Sequence, residues 1–167
     1  VNEGAGLSKL GVAYARAITD LAVPVSCLYG PAYKGIPLVT ATSMAFYHEY
    51  KQSVPYCFNR KQAKTYGDGG DLVGAPLTGH VIMVDDVITA GTTVTETANL
   101  FAKYGAALSG IVIALDREEK NAAGEHALTA ISQRFHVPIN PIITLTDVIE
   151  YLQTNPKHQQ HLEQIAN

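Results

Sequence analysis

The sequence predicts an α/β fold, a mostly parallel sheet flanked by helices on both faces. Three observations predict it. Short apolar runs alternate with longer stretches of helical period along the 167 residues. The most apolar run, Val81-Ile82-Met83-Val84, shows no polar alternation, as a strand buried on both faces requires. Gly and Pro signals separate the runs at short intervals. No repeat, linker or low-complexity tract divides the chain, so residues 1–167 read as one domain.

Leu7, Leu10, Val12, Ala13, Ala17, Ile18 and Leu21 recur at steps of three and four and predict a helix over 5–20, with Pro24 breaking the pattern. Residues 26–29 read as a short strand closed by Gly30-Pro31, residues 37–50 as a helix and residues 55–59 as a strand. Residues 60–74 carry Gly67, Gly69, Gly70 and Gly74 with mixed charge and read as an exposed, mobile loop. A buried strand follows over 80–84, a helix over 92–105 ending at a glycine, and a strand over 109–115. The remainder reads as a helix over 125–135, a strand over 139–143, a helix over 147–152 capped by Thr146, and a last helix around 157–165.

Apolar residues make up 47% and charged residues 16% of the chain, enough to build a sizeable core. The net charge of −3 argues against a nucleic-acid partner. No apolar run approaches the ~20 residues needed to cross a bilayer, and no leader is evident, so the expectation is a cytoplasmic protein without a membrane partner. Cys27 and Cys57 lie in strand-like runs and read as buried reduced thiols, with a disulfide or metal pair as the alternative. The six histidines are scattered without ligand spacing and read as surface or cap residues.

The chemistry concentrates in Val81–Thr93. An apolar strand ends in Asp85 and Asp86, a short turn carries Thr89, Ala90 and Gly91, and a helix begins at Thr92 and Thr93. A helix N-terminus offers unpaired N–H groups and a partial positive charge, which suit a phosphate. Gly91 permits close backbone approach. The threonine hydroxyls add donors, and the carboxylates can accept from a vicinal diol. Phosphate at one end and diol at the other describe a ribose 5-phosphate. Receiver-like carboxylate chemistry and an ordinary turn remain alternatives on spacing alone. Neither an ATP-cleaving phosphate loop nor a dinucleotide fingerprint is present.

The run Val84-Asp85-Asp86-Val87-Ile88-Thr89-Ala90-Gly91-Thr92-Thr93 resembles the phosphoribosyl diphosphate signature of the type I phosphoribosyltransferases. Three further stretches narrow the likeness to the orotate-using members. Gly30-Pro31-Ala32-Tyr33-Lys34-Gly35-Ile36-Pro37 resembles their diphosphate loop. Tyr56-Cys57-Phe58-Asn59-Arg60-Lys61-Gln62-Ala63-Lys64 resembles their strand and catalytic loop. Leu115-Asp116-Arg117-Glu118-Glu119-Lys120 resembles their base-contacting segment.

The resemblance implies transfer of ribose 5-phosphate from phosphoribosyl diphosphate to orotate, giving orotidine 5′-phosphate and diphosphate on the route to UMP. It assigns the catalytic group to Arg60, Lys61, Lys64, Asp85 and Asp86. Tyr33, Lys34, Arg60, Lys61, Lys64 and Tyr66 would contact the diphosphate. Val87, Ile88, Thr89, Ala90, Gly91, Thr92 and Thr93 would cradle the 5-phosphate, and Asp85 and Asp86 would meet the ribose hydroxyls. Thr89 and Arg117 would contact orotate. Magnesium would be held through substrate oxygens and water rather than by direct protein ligands. Lys64 would close over the active site of a second subunit, which implies a homodimer.

Bland readings stand beside these: Lys34 as a solvated lysine, residues 60–74 as a merely charged loop, and Arg117 in a surface salt bridge with Glu118 or Glu119. The other functions to weigh are transfer to a different base and non-catalytic binding of phosphoribosyl diphosphate. Two departures from the family are visible. Tyr66 stands where the family commonly has His. The family's N-terminal hood, with a lysine and paired aromatics over the base, has no counterpart in this sequence, and the expectation is that a preceding segment is missing.

Overall fold

The computed structural model describes residues 3–61, 70–89 and 91–155. Lys64, Tyr66, Ala90 and the helix expected around 157–165 lie outside the described residues. The elements run α1 (Gly4–Asp20), β1 (Cys27–Tyr29), α2 (Gly35–Tyr50), β2 (Tyr56–Asn59), β3 (Leu72–Gly74), β4 (His80–Asp85), α3 (Thr92–Tyr104), β5 (Ala107–Asp116), α4 (Ala127–Phe135), β6 (Ile139–Thr144) and α5 (Leu145–Thr154).

The strands form one six-stranded sheet in the order β3-β2-β1-β4-β5-β6. All neighbours are parallel except β2 and β3. The period-2 geometry of a strand explains both cores. On β4, Val81 and Met83 face α3 and α4 with Val94, Phe101, Leu128 and Ile131. Ile82 and Val84 face α1 and α2 with Tyr14, Ile18, Val39 and Phe46. A strand covered on both sides must be apolar at every position, which is why this run carries no alternation. No helix among the described residues is long and apolar enough to cross a membrane.

Three expectations need correction. Residues 72–74 belong to a strand rather than to the loop: β3 pairs antiparallel with β2 through Cys57↔Gly74, Phe58↔Val73 and Asn59↔Leu72. Leu72 packs on the core below α3, a contact that the glycine-rich composition around it conceals. The last described helix begins at Leu145, and its cap is Thr144 rather than Thr146. Thr144 Oγ1 accepts the Asp147 N–H at 3.1 Å while Asp147 Oδ2 accepts the Thr144 N–H at 2.7 Å, a reciprocal box two residues earlier than expected. The helix expected from residue 125 begins at Ala127, because Asn121 Oδ1 accepts the Ala123 and Glu125 N–H groups and holds that stretch in a turn. Cys27 and Cys57 are buried and free, their sulfurs 3.9 Å apart across β1 and β2.

α1 and α2 cross closely because position 11 has no side chain: a Cβ on Gly11 would lie 2.6 Å from the Ala41 carbonyl oxygen. Gly11→Ala gains helix propensity of about 1 kcal/mol. It also pushes against backbone that no rotamer change can relieve, at about 1–3 kcal/mol. The expected outcome is net destabilisation, read as a lower urea midpoint at unchanged slope.

Candidate active site

The chain adds strands outward from β1 in one direction and, after β3, in the other. The order therefore reverses between β1 and β4. Ligands of open parallel sheets bind outside the carboxyl ends of the strands at such a reversal. A cleft of about 340 Å3 lies there. The turn after β1 supplies Tyr33 and Lys34, the end of β2 supplies Asn59, Arg60 and Lys61, the end of β4 supplies Asp85 and Asp86, and α3 supplies Thr93, Glu96 and Thr97.

The turn after β1 is closed by two glycines that touch. A Cβ on Gly30 would meet the Gly35 carbonyl oxygen at 2.2 Å, so the backbone at both ends packs where side chains cannot fit. Gly35 donates its N–H to the Pro31 carbonyl at 3.0 Å and starts α2. The Ala32–Tyr33 peptide is cis. The Ala32 N–H donates to Asn59 Oδ1 at 2.7 Å, fastening this turn to the end of β2. Lys61 lies 5.9 Å from the centroid of the Tyr33 ring. The Arg60 N–H donates to the Asp71 carbonyl at 2.7 Å. Arg60 Nη1 is buried and has no hydrogen-bond partner among the described residues. An orphaned charged donor is costly, and an anionic oxygen in the cleft would satisfy it.

The two carboxylates behave differently although they are adjacent in the chain. Asp86 Oδ2 accepts from Lys34 Nζ at 2.7 Å. Burial works to raise Asp86, but the Lys34 ammonium and the Val87 N–H outweigh it and hold this carboxyl below its ordinary range. Asp85 is 8% exposed. Burial first, and then the Asp86 charge, push it up to about 7 against the counter-effect of the Asp86 N–H. Asp85 Oδ1 accepts that N–H at 2.9 Å.

Beyond Asp86 the chain turns into α3. Gly91 holds the N-cap with φ 72 and, being glycine, offers the first turn no capping side chain. Thr89, Thr92 and Thr93 are exposed around that uncapped end, whereas Ile88 is buried and anchors the turn. Thr93 borders the cleft; Val87, Ile88, Thr89, Gly91 and Thr92 sit beside it in the turn and do not line it. Arg117 is not gathered into the cleft either. It lies just past β5, its Nε 3.1 Å from Glu119 Oε1, with the Arg117 side chain 53% exposed.

Among the described residues no three His, Cys, Asp or Glu side chains gather as a metal cage. Asp85 and Asp86, one already paired with Lys34, are adjacent carboxylates of the kind that hold a hydrated divalent cation. Sequence reasoning missed Tyr29, Asp71, Glu96, Thr97 and Leu100 in the cleft. Glu96 and Thr97 sit one helical turn into α3 and carried no motif. Asp71 comes into place only through β3 and its ion pair with Lys103.

The unfolded chain releases the Asp85 proton near its ordinary value of 3.8 and the folded chain releases it near 7. Between those values the native state binds the extra proton. Asp85 therefore contributes less stability as pH rises across that window, and its effect levels off above 7. Asp85→Asn keeps an oxygen for the Asp86 N–H and removes the titration. Urea midpoints of the variant should vary less between pH 4.5 and 7.5 and should gain on the wild type at the upper end; parallel profiles would contradict the assignment.

The family model for the phosphoribosyl transferase domain matches residues 24–140. An orotate phosphoribosyltransferase of Yersinia pestis strain Pestoides F is 47% identical over 161 residues, which cover 96% of this chain and 75% of that relative. The crystal structure of the orotate phosphoribosyltransferase of Francisella tularensis superposes with a TM-score of 0.81 at 36% identity, covering 98% of this chain and 81% of that one. The same fold recurs at 21% identity and a TM-score of 0.60, over 82% of this chain and 74% of that one, in the Mycobacterium tuberculosis orotate phosphoribosyltransferase in complex with 5-phospho-α-D-ribosyl 1-diphosphate. With the cleft at the sheet's reversal point and these relatives together, the chain belongs to the orotate phosphoribosyltransferases of the phosphoribosyl transferase family.

Proposed function

We infer that this protein transfers the 5-phosphoribosyl group of phosphoribosyl diphosphate to orotate. The bond from C1 of the ribose to the diphosphate oxygen breaks, its electron pair leaving with diphosphate. N1 of orotate gives up its proton to water and its electron pair forms the new bond to C1, giving orotidine 5′-phosphate. The observation that carries this reading is the charge arrangement of the cleft: Lys34, Arg60 and Lys61 converge on the same space as Asp85 and Asp86.

The roles follow from that arrangement. Lys34, Arg60 and Lys61, with Tyr33 beside them, take the diphosphate, and Lys64 and Tyr66 add to that set. The buried Arg60 Nη1, without a partner among the described residues, supports the assignment. The turn from Val87 through Thr89 and Gly91 to Thr93, with Ala90 within it, receives the 5-phosphate on the uncapped end of α3. Asp85 and Asp86 accept from the ribose hydroxyls. The reaction centre resembles an oxocarbenium cation leaving an anion, so fixed cations and excluded water lower the barrier most. Asp85 and Asp86 would be the residues to hold a magnesium ion, which would supply neutralising charge to the diphosphate. Arg117 exchanges Glu119 for the orotate carboxylate, which is cheap because a solvated surface pair holds little energy, and Thr89 approaches the base. A homodimer in which Lys64 closes over the partner's site, and a cytoplasmic location, belong to the same proposal. The free thiols of Cys27 and Cys57 support the location.

The intact protein, given orotate, phosphoribosyl diphosphate and magnesium, should consume orotate and release diphosphate. Turnover of adenine or uracil in preference to orotate would replace the reading with another base, and binding without turnover would replace it with a regulator. Lys64→Ala should lower kcat far more than it raises KM, the signature of an interaction made in the transition state. Equal losses would remove Lys64 from the chemistry. Arg60→Ala should raise KM for phosphoribosyl diphosphate by about tenfold, as loss of a charge-assisted contact does. An unchanged KM would detach Arg60 from the diphosphate.

A further inference from the structure

The carbonyl oxygen of Asp85 has an unusual partner. β1 ends at Tyr29, whose neighbour on β4 is Met83, so two residues further on the sheet offers Asp85 no strand on that side. On the other side, β5 is occupied with the next residue: the Ala114 and Leu115 N–H groups both donate to the Asp86 carbonyl, at 2.9 and 3.2 Å. The Asp85 carbonyl is taken instead by a side chain from the first helix. The Tyr14 hydroxyl donates to it at 2.6 Å, joining residues 71 apart in the chain. Tyr14 is fully buried. Burial first, and then the charges of Asp85 and Asp86, raise its pKa, so the phenol keeps its proton and remains a donor.

The peptide unit between the two acids is thus held at both ends. Tyr14 holds its oxygen, and Asp85 Oδ1 holds its N–H at 2.9 Å. A peptide gripped at oxygen and at nitrogen cannot rotate about the chain axis, and that rotation would swing both carboxylates. The ring of Tyr14 fills core space among Ala15, Ile18, Val84 and Val112. A phenylalanine would fill that space equally well. The hydroxyl adds the hydrogen bond.

We propose that Tyr14 is a positioning residue for sugar-phosphate binding: its hydroxyl fixes the Asp85–Asp86 peptide and so sets the direction in which both carboxylates enter the cleft. The inference rests on the reading that this acid pair meets the ribose hydroxyls. It assigns α1 a part in the site although no α1 residue borders the cleft.

The test uses the full chain and Tyr14→Phe. Loss of one buried hydrogen bond is small against the stability of a domain, so folded protein is expected. KM for phosphoribosyl diphosphate should rise about tenfold while KM for orotate stays within about twofold, the scale of one hydrogen bond lost on a single substrate. Ile18→Val, on the same helix and 2% exposed, serves as the control for destabilisation alone and should leave both KM values unchanged. In a background carrying both Asp85→Asn and Asp86→Asn, Tyr14→Phe should add less than about twofold, because the hydroxyl acts through the two acids.

An unchanged KM for phosphoribosyl diphosphate in Tyr14→Phe, equal losses for both substrates, or a full effect repeated in the background lacking both acids would each overturn the inference. Asp85→Asn that binds like the wild type would overturn the acid-pair reading and this inference with it. Asp85→Asn that binds weakly while Tyr14→Phe binds normally would overturn this inference alone. Should Tyr14→Phe be only marginally folded, the rise in thermal midpoint produced by phosphoribosyl diphosphate reads the same affinity. It should be smaller for Tyr14→Phe than for Ile18→Val, and equal rises would refute the proposal.

Discussion

Two carboxylates leave the end of one buried strand side by side, and a single lysine answers them. Lys34 takes Asp86, so Asp85 meets its neighbour's charge at the edge of the core with a backbone N–H and the indirect pull of Lys34 for compensation. Like charges at such range cannot both be comfortable, and burial decides which yields its charge. The cost is tolerated because the pair stands at the mouth of a cleft whose other wall carries Lys34, Arg60 and Lys61. A ligand bearing hydroxyls at one end and phosphates at the other relieves both walls at once: hydroxyls donate to the acids and oxyanions satisfy the cations.

The sheet order makes this convergence possible. Because the chain reverses direction across the sheet between β1 and β4, the segments following β1, β2 and β4 all open into the same space. Short fastenings keep them in register. Asn59 holds the Ala32 N–H, Asp71 holds the Arg60 N–H, and the Gly30–Gly35 contact closes the first turn too tightly for any side chain. The site is therefore a property of three strand ends held together rather than of one motif.

Much of this was legible in the sequence, for identifiable reasons. Val81–Val84 announced a doubly covered strand by its unbroken apolar run, and the turn into the next helix announced itself through Asp85, Asp86, Gly91 and the threonines. These are local signals, and the structure keeps them local. Leu72–Gly74 was hidden because its strand character comes from pairing with Tyr56–Asn59, not from its own glycine-rich composition. The cap of the last described helix was misread by two residues because Thr144 and Thr146 are equally good candidates until Glu118 claims Thr146. Tyr14 could not have been found at all. Its place in the pattern is that of any apolar helix position, and its hydroxyl acquires meaning only beside a carbonyl 71 residues away. Arg117 shows the converse: the motif named it, while the folded chain occupies it with Glu119.

The most direct test of the account is a map of where phosphoribosyl diphosphate touches the protein, obtained by titrating it with magnesium into isotope-labelled protein and following backbone amide resonances. The account predicts that shifts concentrate at Tyr33–Lys34, Asn59–Lys61 and Asp85–Thr93, with the helix faces remote from the cleft unmoved. Saturable shifts confined to another surface, with those three segments silent, would contradict it.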